Sequence, residues 1–296
     1  MRLPRLIKLI SECWQKAEEA ICFLLATRYQ DKNETFITDL FHGELGVAVK
    51  EASGKGSVRR AFLEDMQNAF PELGHSAELD LRISKFGATI TFHPGEIETR
   101  TKGDLGLVLI RPDAEKAQYE SNSIIIDADY QRGLLCQAKI NQRSSYSRQR
   151  PHWGELSDSQ QNELPKHFDY LALLLYRYLN IERLSLGPFQ WQTCRGSSIP
   201  EIKRWLRRGD FPSLKSSHEI ITKLGNDQGP DGIGTDKKDI IKKYICPETR
   251  PSLTIRIGWP PDVEPPSRIL IRPQTQDQKK EVLVRTYQET VTGPWS

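Results

Sequence analysis

Gly133-Leu134-Leu135-Cys136-Gln137-Ala138-Lys139-Ile140 is the stretch on which the reading of this chain turns. It is apolar except at Gln137 and Lys139. On a strand, side chains two residues apart point the same way. Gln137 and Lys139 therefore share one face, and Cys136 and Ala138 share the other. Lysine is rarely buried without a partner, so an amide and an ammonium on one face of a core strand need a chemical reason.

The neighbouring stretch with matching character is Lys102-Gly103-Asp104-Leu105-Gly106-Leu107-Val108-Leu109. Here an acid stands between two glycines at the mouth of a second apolar strand, expected over 105–110. Upstream, residues 35–52 read as a helix capped by Asn33. Positions 34, 37, 41, 44 and 48 follow the 3-4 rhythm of one helical face. Glu34 and Glu44 thus share a stripe with Ile37, Phe41 and Ala48, and either carboxylate is a candidate to reach the sheet.

Outward from these segments, an amphipathic first helix carries Leu6, Ile10, Ala17, Ile21, Leu24 and Leu25 on one side. A short helix is expected over 58–69 and a strand over 77–83, continued at 89–92. Short strands follow at 123–126 and 133–140. A long helix is expected from Ser157 or Ser159 to Leu179, with Phe168, Leu171, Leu174, Leu175 and Tyr178 as its stripe. Residues 198–207 and 237–244 read as helices around a Gly/Asp-rich loop at 225–234. Late strands are expected at 252–257 and 268–271. The order predicts an α/β protein with one central mixed sheet flanked by helices. The expected organisation is an N-terminal helix (1–30), a core (31–190) and a C-terminal α+β extension (191–296) packed on that core.

Composition narrows the function classes. Charged residues make up 27% and apolar residues 37% of the 296, an ordinary globular balance. A net charge of +3 permits nucleic-acid binding without demanding it. The five cysteines lie far apart with no CxxC, against a disulfide framework or a zinc knuckle. The six histidines show no HxH or HExxH spacing, and no P-loop or GxGxxG occurs. No segment reaches the roughly 18 apolar residues of a membrane span, and acids interrupt the N-terminal helix too early for a signal peptide. The expectation is a cytoplasmic protein.

An acid before a strand, followed by a strand-borne Gln, one apolar residue and Lys, resembles the PD-(D/E)xK nuclease superfamily with its restriction-endonuclease-like fold. The Gln-x-Lys form is similar to its Mrr-like branch. The resemblance covers roughly residues 30–180. It implies that Asp104, Gln137 and the helix glutamate (Glu34 or Glu44) hold Mg²⁺ or Mn²⁺, with Lys139 completing the catalytic set. It further implies a nuclease acting on DNA, with a restriction or anti-phage role, a protein partner in a defence complex, or a homo-oligomer. The long Asp104–Gln137 interval implies an insertion over 112–131, which brings Asp127 and Asp129 in as competing ligands.

Arg143, Arg148 and Arg150, in an acid-free loop after Lys139, are candidate phosphate contacts. Gln160 or Gln161, with Tyr170, Tyr176 and Tyr178 on the expected long helix, resembles the family's nucleic-acid-binding helix. Lys203-Arg204-Trp205-Leu206-Arg207-Arg208 offers a second basic contact or a solvated helix face. The alternative readings are a non-catalytic nucleic-acid-binding or assembly subunit with a nuclease-like fold, since Gln137 replaces an acid, or a nuclease directed at RNA.

Overall fold

A computed structural model describes residues 4–27, 33–54, 87–93, 95–111, 118–120, 123–127, 130–142, 152–180, 185–195, 199–226, 233–247, 253–256, 268–271 and 290–292, with isolated positions between 57 and 68. Two long helices come first, α1 (Pro4–Thr27) and α2 (Glu34–Gly54). Asn33 caps α2 by accepting from the Phe36 amide at 2.9 Å. The expected helix at 58–69 falls mostly outside the described residues, and the strand at 77–83 wholly so.

The main sheet is built from β1 (Gly87–Phe92), β2 (Leu105–Arg111), β5 (Tyr130–Gln142), β7 (Tyr170–Tyr176), β10 (Gln190–Arg195), β11 (Lys215–Ser216), β12 (Leu253–Arg256) and β14 (Thr290–Thr292). Their order is β11-β10-β7-β5-β2-β1-β12-β14, with β6 (His152–Trp153) paired to β5 off that path. The β5–β7 pair is parallel. The other pairings are antiparallel, so the sheet is mixed. A second sheet joins β3 (Gln118–Glu120), β4 (Ser123–Asp127) and β13 (Arg268–Ile271), and β8 (Tyr178–Asn180) pairs with β9 (Ser185–Leu186).

The register of β2 against β5 runs from Leu105↔Cys136 to Arg111↔Tyr130. The 112–131 insertion therefore rises from the far end of a long antiparallel pair, and Asp104 stays beside Gln137. Asp127 ends β4 in the other sheet, and Asp129 lies outside the described residues.

The helix expected from 157 to 179 is corrected. Helix α4 spans Asp158–His167, and Tyr170–Tyr176 is a strand. Its residues 171–176 are buried on both faces. Leu171, Leu173 and Leu175 face one core; Ala172, Leu174 and Tyr176 face the other. A continuous apolar run satisfies a 3.6-residue stripe and a doubly buried strand equally well, and parallel strands favour such runs. Phe168, at the helix end, already has an extended backbone. A parallel pair needs a crossover, and α4 supplies it between β5 and β7. Tyr170, Tyr176 and Tyr178 are consequently on strands, with Tyr176 fully buried.

Helices cover both faces of the sheet. On one face α1, α2 and α6 (Glu219–Asn226) bury Trp14, Ile21, Ile37, Phe41 and Leu224 against β2, β5 and β7. On the other, α4, α5 (Ile199–Arg208) and the segment Lys238–Ile245 pack with Leu164, Ile202, Leu206, Ile241 and Ile245. Each such side chain contributes about 1.5–3 kcal/mol of transfer free energy when fully buried. Lys238–Ile240 (α7) runs into a π-helical turn, Ile241–Ile245. That turn lies so close to β2 that a Cβ at Gly106 would sit 1.7 Å from the Ile245 carbonyl oxygen. No helix among the described residues is long and apolar enough to cross a membrane.

Candidate active site

Asp104, Gln137 and Lys139 lie on the sheet face that also carries Leu135 and Val108. Asp104 precedes β2, and its own N–H donates to the Cys136 carbonyl at 2.9 Å. One oxygen, Oδ2, accepts from the Ala138 N–H at 2.8 Å and from the Gln137 side-chain amide. The turn before Asp104 is held by His93. The His93 N–H donates to the Asp104 carbonyl at 2.9 Å. Its ring contacts Thr101 Oγ1, the Gly103 carbonyl and the Ile245 carbonyl at 3.0–3.1 Å. Gly103 leaves room for Leu135, whose side chain would lie 2.6 Å from a Cβ there.

Lys139 is 4% exposed, and its Nζ lies 3.2 Å from Glu34 Oε1. Glu34 opens α2 at the end of the sheet where β5 delivers Lys139. Glu44 is ten residues further along that helix, about 15 Å at 1.5 Å per residue. Of the two candidates, Glu34 is the one whose carboxylate reaches Lys139.

Glu98 is the residue that sequence reasoning missed. It sits on α3 (Glu96–Thr101), half-buried, and its carboxyl is raised above the usual range. Burial is the main cause; Lys139 opposes it and Glu34 adds to it. The available signal was a glutamate six residues before Asp104 on a short helix between strands. Asp104 is pushed up to about 7, first by burial and then by the negative charges of Glu34 and Glu98. Lys139 and the Ala138 N–H pull the other way. Three carboxylates thus share one buried cation.

Gln160 also joins the cluster. Ser157 caps α4 in a capping box with Gln160, whose Oε1 accepts from the Ser157 N–H at 2.9 Å. Its Nε2 donates to Gln137 Oε1 at 2.8 Å. The Gln160 amide is therefore buried and engaged, and Gln137 is held between Gln160 and Asp104. Gln161 instead donates to the Leu156 carbonyl. Arg143, Arg148 and Arg150 lie outside the described residues. Lys203, Arg204 and Arg207 project from α5, with Arg207 paired to Glu155 at 3.1 Å.

The donor set consists of hard oxygens: Asp104, Glu34, Glu98 and the Gln137 carbonyl. Such oxygens suit Mg²⁺ or Mn²⁺ rather than a thiophilic metal. Among the described residues no group of three or more His, Cys, Asp or Glu side chains is placed to hold a metal ion. Any ion there would keep several waters, as Mg²⁺ does in phosphate-handling sites.

No family model matches the sequence, and no curated protein matches it.

Proposed function

We propose that the chain is a metal-dependent nuclease with a restriction-endonuclease-like core, hydrolysing phosphodiester bonds of DNA with Mg²⁺ or Mn²⁺. One observation carries this reading. Neighbouring strands bring Asp104 onto the Gln137-Ala138 segment, while Lys139, two residues on, meets Glu34 from a helix. That is the constellation implied by the sequence resemblance.

Asp104 and Glu34 would hold the ion, with the Gln137 carbonyl or water completing its shell. When bound, it supplies charge stabilisation at the phosphate and an acidified water. The rest follows from the chain's own groups. Lys139, buried up to its ammonium, orients the attacking water and offsets charge on the five-coordinate phosphorus. Glu34 fixes the direction of that ammonium. For Gln137 to offer its oxygen to an ion beside Asp104, its amide would rotate, breaking the donation to Asp104 and turning Nε2 toward Gln160, whose side-chain amide would turn in response.

The test uses plasmid DNA and Mg²⁺. Wild type cleaves, EDTA abolishes cleavage, and Lys139→Ala and Asp104→Ala each lose at least about 100-fold in rate. Equal cleavage by all three proteins sinks the assignment. A second reading, a non-catalytic nucleic-acid-binding subunit, draws on the Gln137 amide already being satisfied within the protein. Binding without cleavage in any divalent metal would favour it. Parallel assays on RNA separate the substrates. A defence role rests on family analogy alone.

A further inference from the structure

A cavity of about 420 Å³ is walled by α3, α4 and the π-helical turn. Arg100, Lys102, His167, Lys243, Tyr244 and Glu163 are among its lining. Arg100, Lys102 and Lys243 have no carboxylate within ion-pair distance among the described residues. The one lining carboxylate, Glu163, is paired with Lys166 at 2.8 Å and lies 3.7 Å from His167. Arg100 and Lys102 from α3 and Lys243 from the π-helical turn bring three cations to one cavity. Glu98 and Glu163 act on Lys102 from beyond ion-pair distance, and the remaining positive field is one that an anion relieves.

The wall is also rigid. Tyr244 stacks on His167 with centroids 4.5 Å apart, and its hydroxyl lies 3.0 Å from His167 Nε2. Phe168 packs edge-on against Tyr244 at 5.7 Å. The Lys243 ammonium sits 4.9 Å from the Tyr244 ring centre. Lys102 has φ 64°, a left-handed conformation, and ends α3 with its N–H on the Glu98 carbonyl at 2.7 Å. Gly or Asn is the relaxed choice there. A lysine in this conformation is strained and brings a cation to the cavity.

The cavity adjoins the candidate active site. Lys102 is two residues from Asp104, and its carbonyl lies 3.5 Å from Gln160 Nε2. Gln160 is one helical turn before Glu163 and Leu164, which line the cavity. Phosphates follow each other at about 3.4 Å of rise per nucleotide. A strand with one phosphate at Asp104 and Lys139 carries its next phosphates at that spacing, and Lys102, two residues from Asp104, is the cavity residue closest to the site along the chain.

We propose that this cavity binds a nucleotide phosphate, with Arg100, Lys102 and Lys243 as its counter-charges. Its use for a neighbouring phosphate of the substrate strand rests on the nuclease reading. The test measures binding of a fluorescein-labelled 24-mer DNA duplex to the full chain in EDTA, across a salt series. The expected result for Arg100→Ala/Lys243→Ala is affinity about 10-fold weaker and a log–log salt slope lower by about two. Arg100→Gln/Lys243→Gln, which keeps polar side chains at both positions, should do the same with an unchanged Tm. Titration with 5′-AMP and with inorganic phosphate separates the sources. AMP binding that is lost in the double variant, with duplex affinity intact, assigns the cavity to a free mononucleotide. Unchanged duplex affinity, salt slope and AMP binding in the Gln variant overturn the proposal. Because EDTA removes cleavage from the measurement, the pocket can stand where the nuclease reading fails, and the reverse.

Discussion

Glu18 and Asp104 are both buried carboxylates, 5% and 4% exposed, yet their surroundings differ in kind. Glu18, on α1, accepts from the Phe189 N–H at 2.7 Å and from Ser217 Oγ. Trp14 Nε1 in turn donates to Ser217 Oγ at 2.7 Å. Those donors are neutral and come from the chain segments leading into β10 and following β11. The carboxylate ties α1 to the end of the sheet. Asp104 also accepts one backbone N–H and one side-chain amide. Around it stand Lys139, Glu34 and Glu98, a charge cluster that holding the fold together does not require. Burial raises both carboxyl groups above the usual range. At Glu18 the neutral Ser217 and Phe189 donors oppose that rise and Glu19 adds to it; at Asp104 the Lys139 ammonium opposes it and Glu34 and Glu98 add to it.

The largest effect should separate these two roles. Glu18→Ala leaves the Phe189 N–H and the Ser217 hydroxyl without their acceptor, at about 1–3 kcal/mol each. Thermal melting should fall by roughly 5–10 °C while any residual activity at low temperature persists. Asp104→Asn should do the opposite, abolishing cleavage while holding or raising Tm. The sign with pH follows from Asp104 standing near 7 when folded and about 3.9 when unfolded. The folded state binds more protons in that window, so the charged group costs stability as pH rises through it. The Asn variant should therefore gain on wild type from about pH 4 to above pH 7, measured in EDTA. Loss of Tm at pH 8 in Asp104→Asn would place Asp104 with Glu18 as a structural tie.

Only the Asp104 half of this contrast was readable before the structure. Gln137 and Lys139 were legible because strand alternation puts residues two apart on one face; Asp104 was joined to them by the resemblance, and its register against Gln137 is visible only in the β2–β5 pairing. The helical rhythm alone does not separate Glu34 from Glu44, and only the place of Glu34 at the helix start favoured it slightly. The structure adds the end of β5, where Lys139 meets Glu34 at 3.2 Å. Residues 170–176 were misread because an all-apolar run has no phase. Glu98 stayed hidden because a six-residue helix gives no periodic signal. The Glu18 tie was invisible because its partners are 171 and 199 residues away.

A smaller effect tests the weakest member of the cluster. Gln137→Glu would place a fourth carboxylate against Asp104. Without metal, the two like charges should lower Tm, by a few degrees at pH 8. With Mn²⁺ the loss should reverse, and the Tm gain on adding metal should exceed that of wild type. Differential scanning fluorimetry with and without Mn²⁺ reads this directly. A variant that loses Tm equally with and without metal would argue against an ion at this point.

The smallest effect extends the contrast to two histidines. His42 and His93 are both buried, and burial lowers each to about 4. Unfolded, each titrates near 6.5. Their neutral forms thus contribute stability above pH 6.5 that is lost as pH falls toward 4, by at most about 1.4 kcal/mol per pH unit each. His42 only stacks on Phe92, at 6.3 Å, and its Nε2 has no hydrogen-bond partner among the described residues. His93 instead holds the turn that carries Asp104. His42→Phe should keep cleavage and grow more stable than wild type as pH drops from 6.5 to 4. His93→Phe removes the same titration but frees the Gly103 and Ile245 carbonyls, so cleavage should fall even at pH 8, where both histidines are neutral. Equal cleavage by the two variants at pH 8 would show that the turn keeps Asp104 in place without His93.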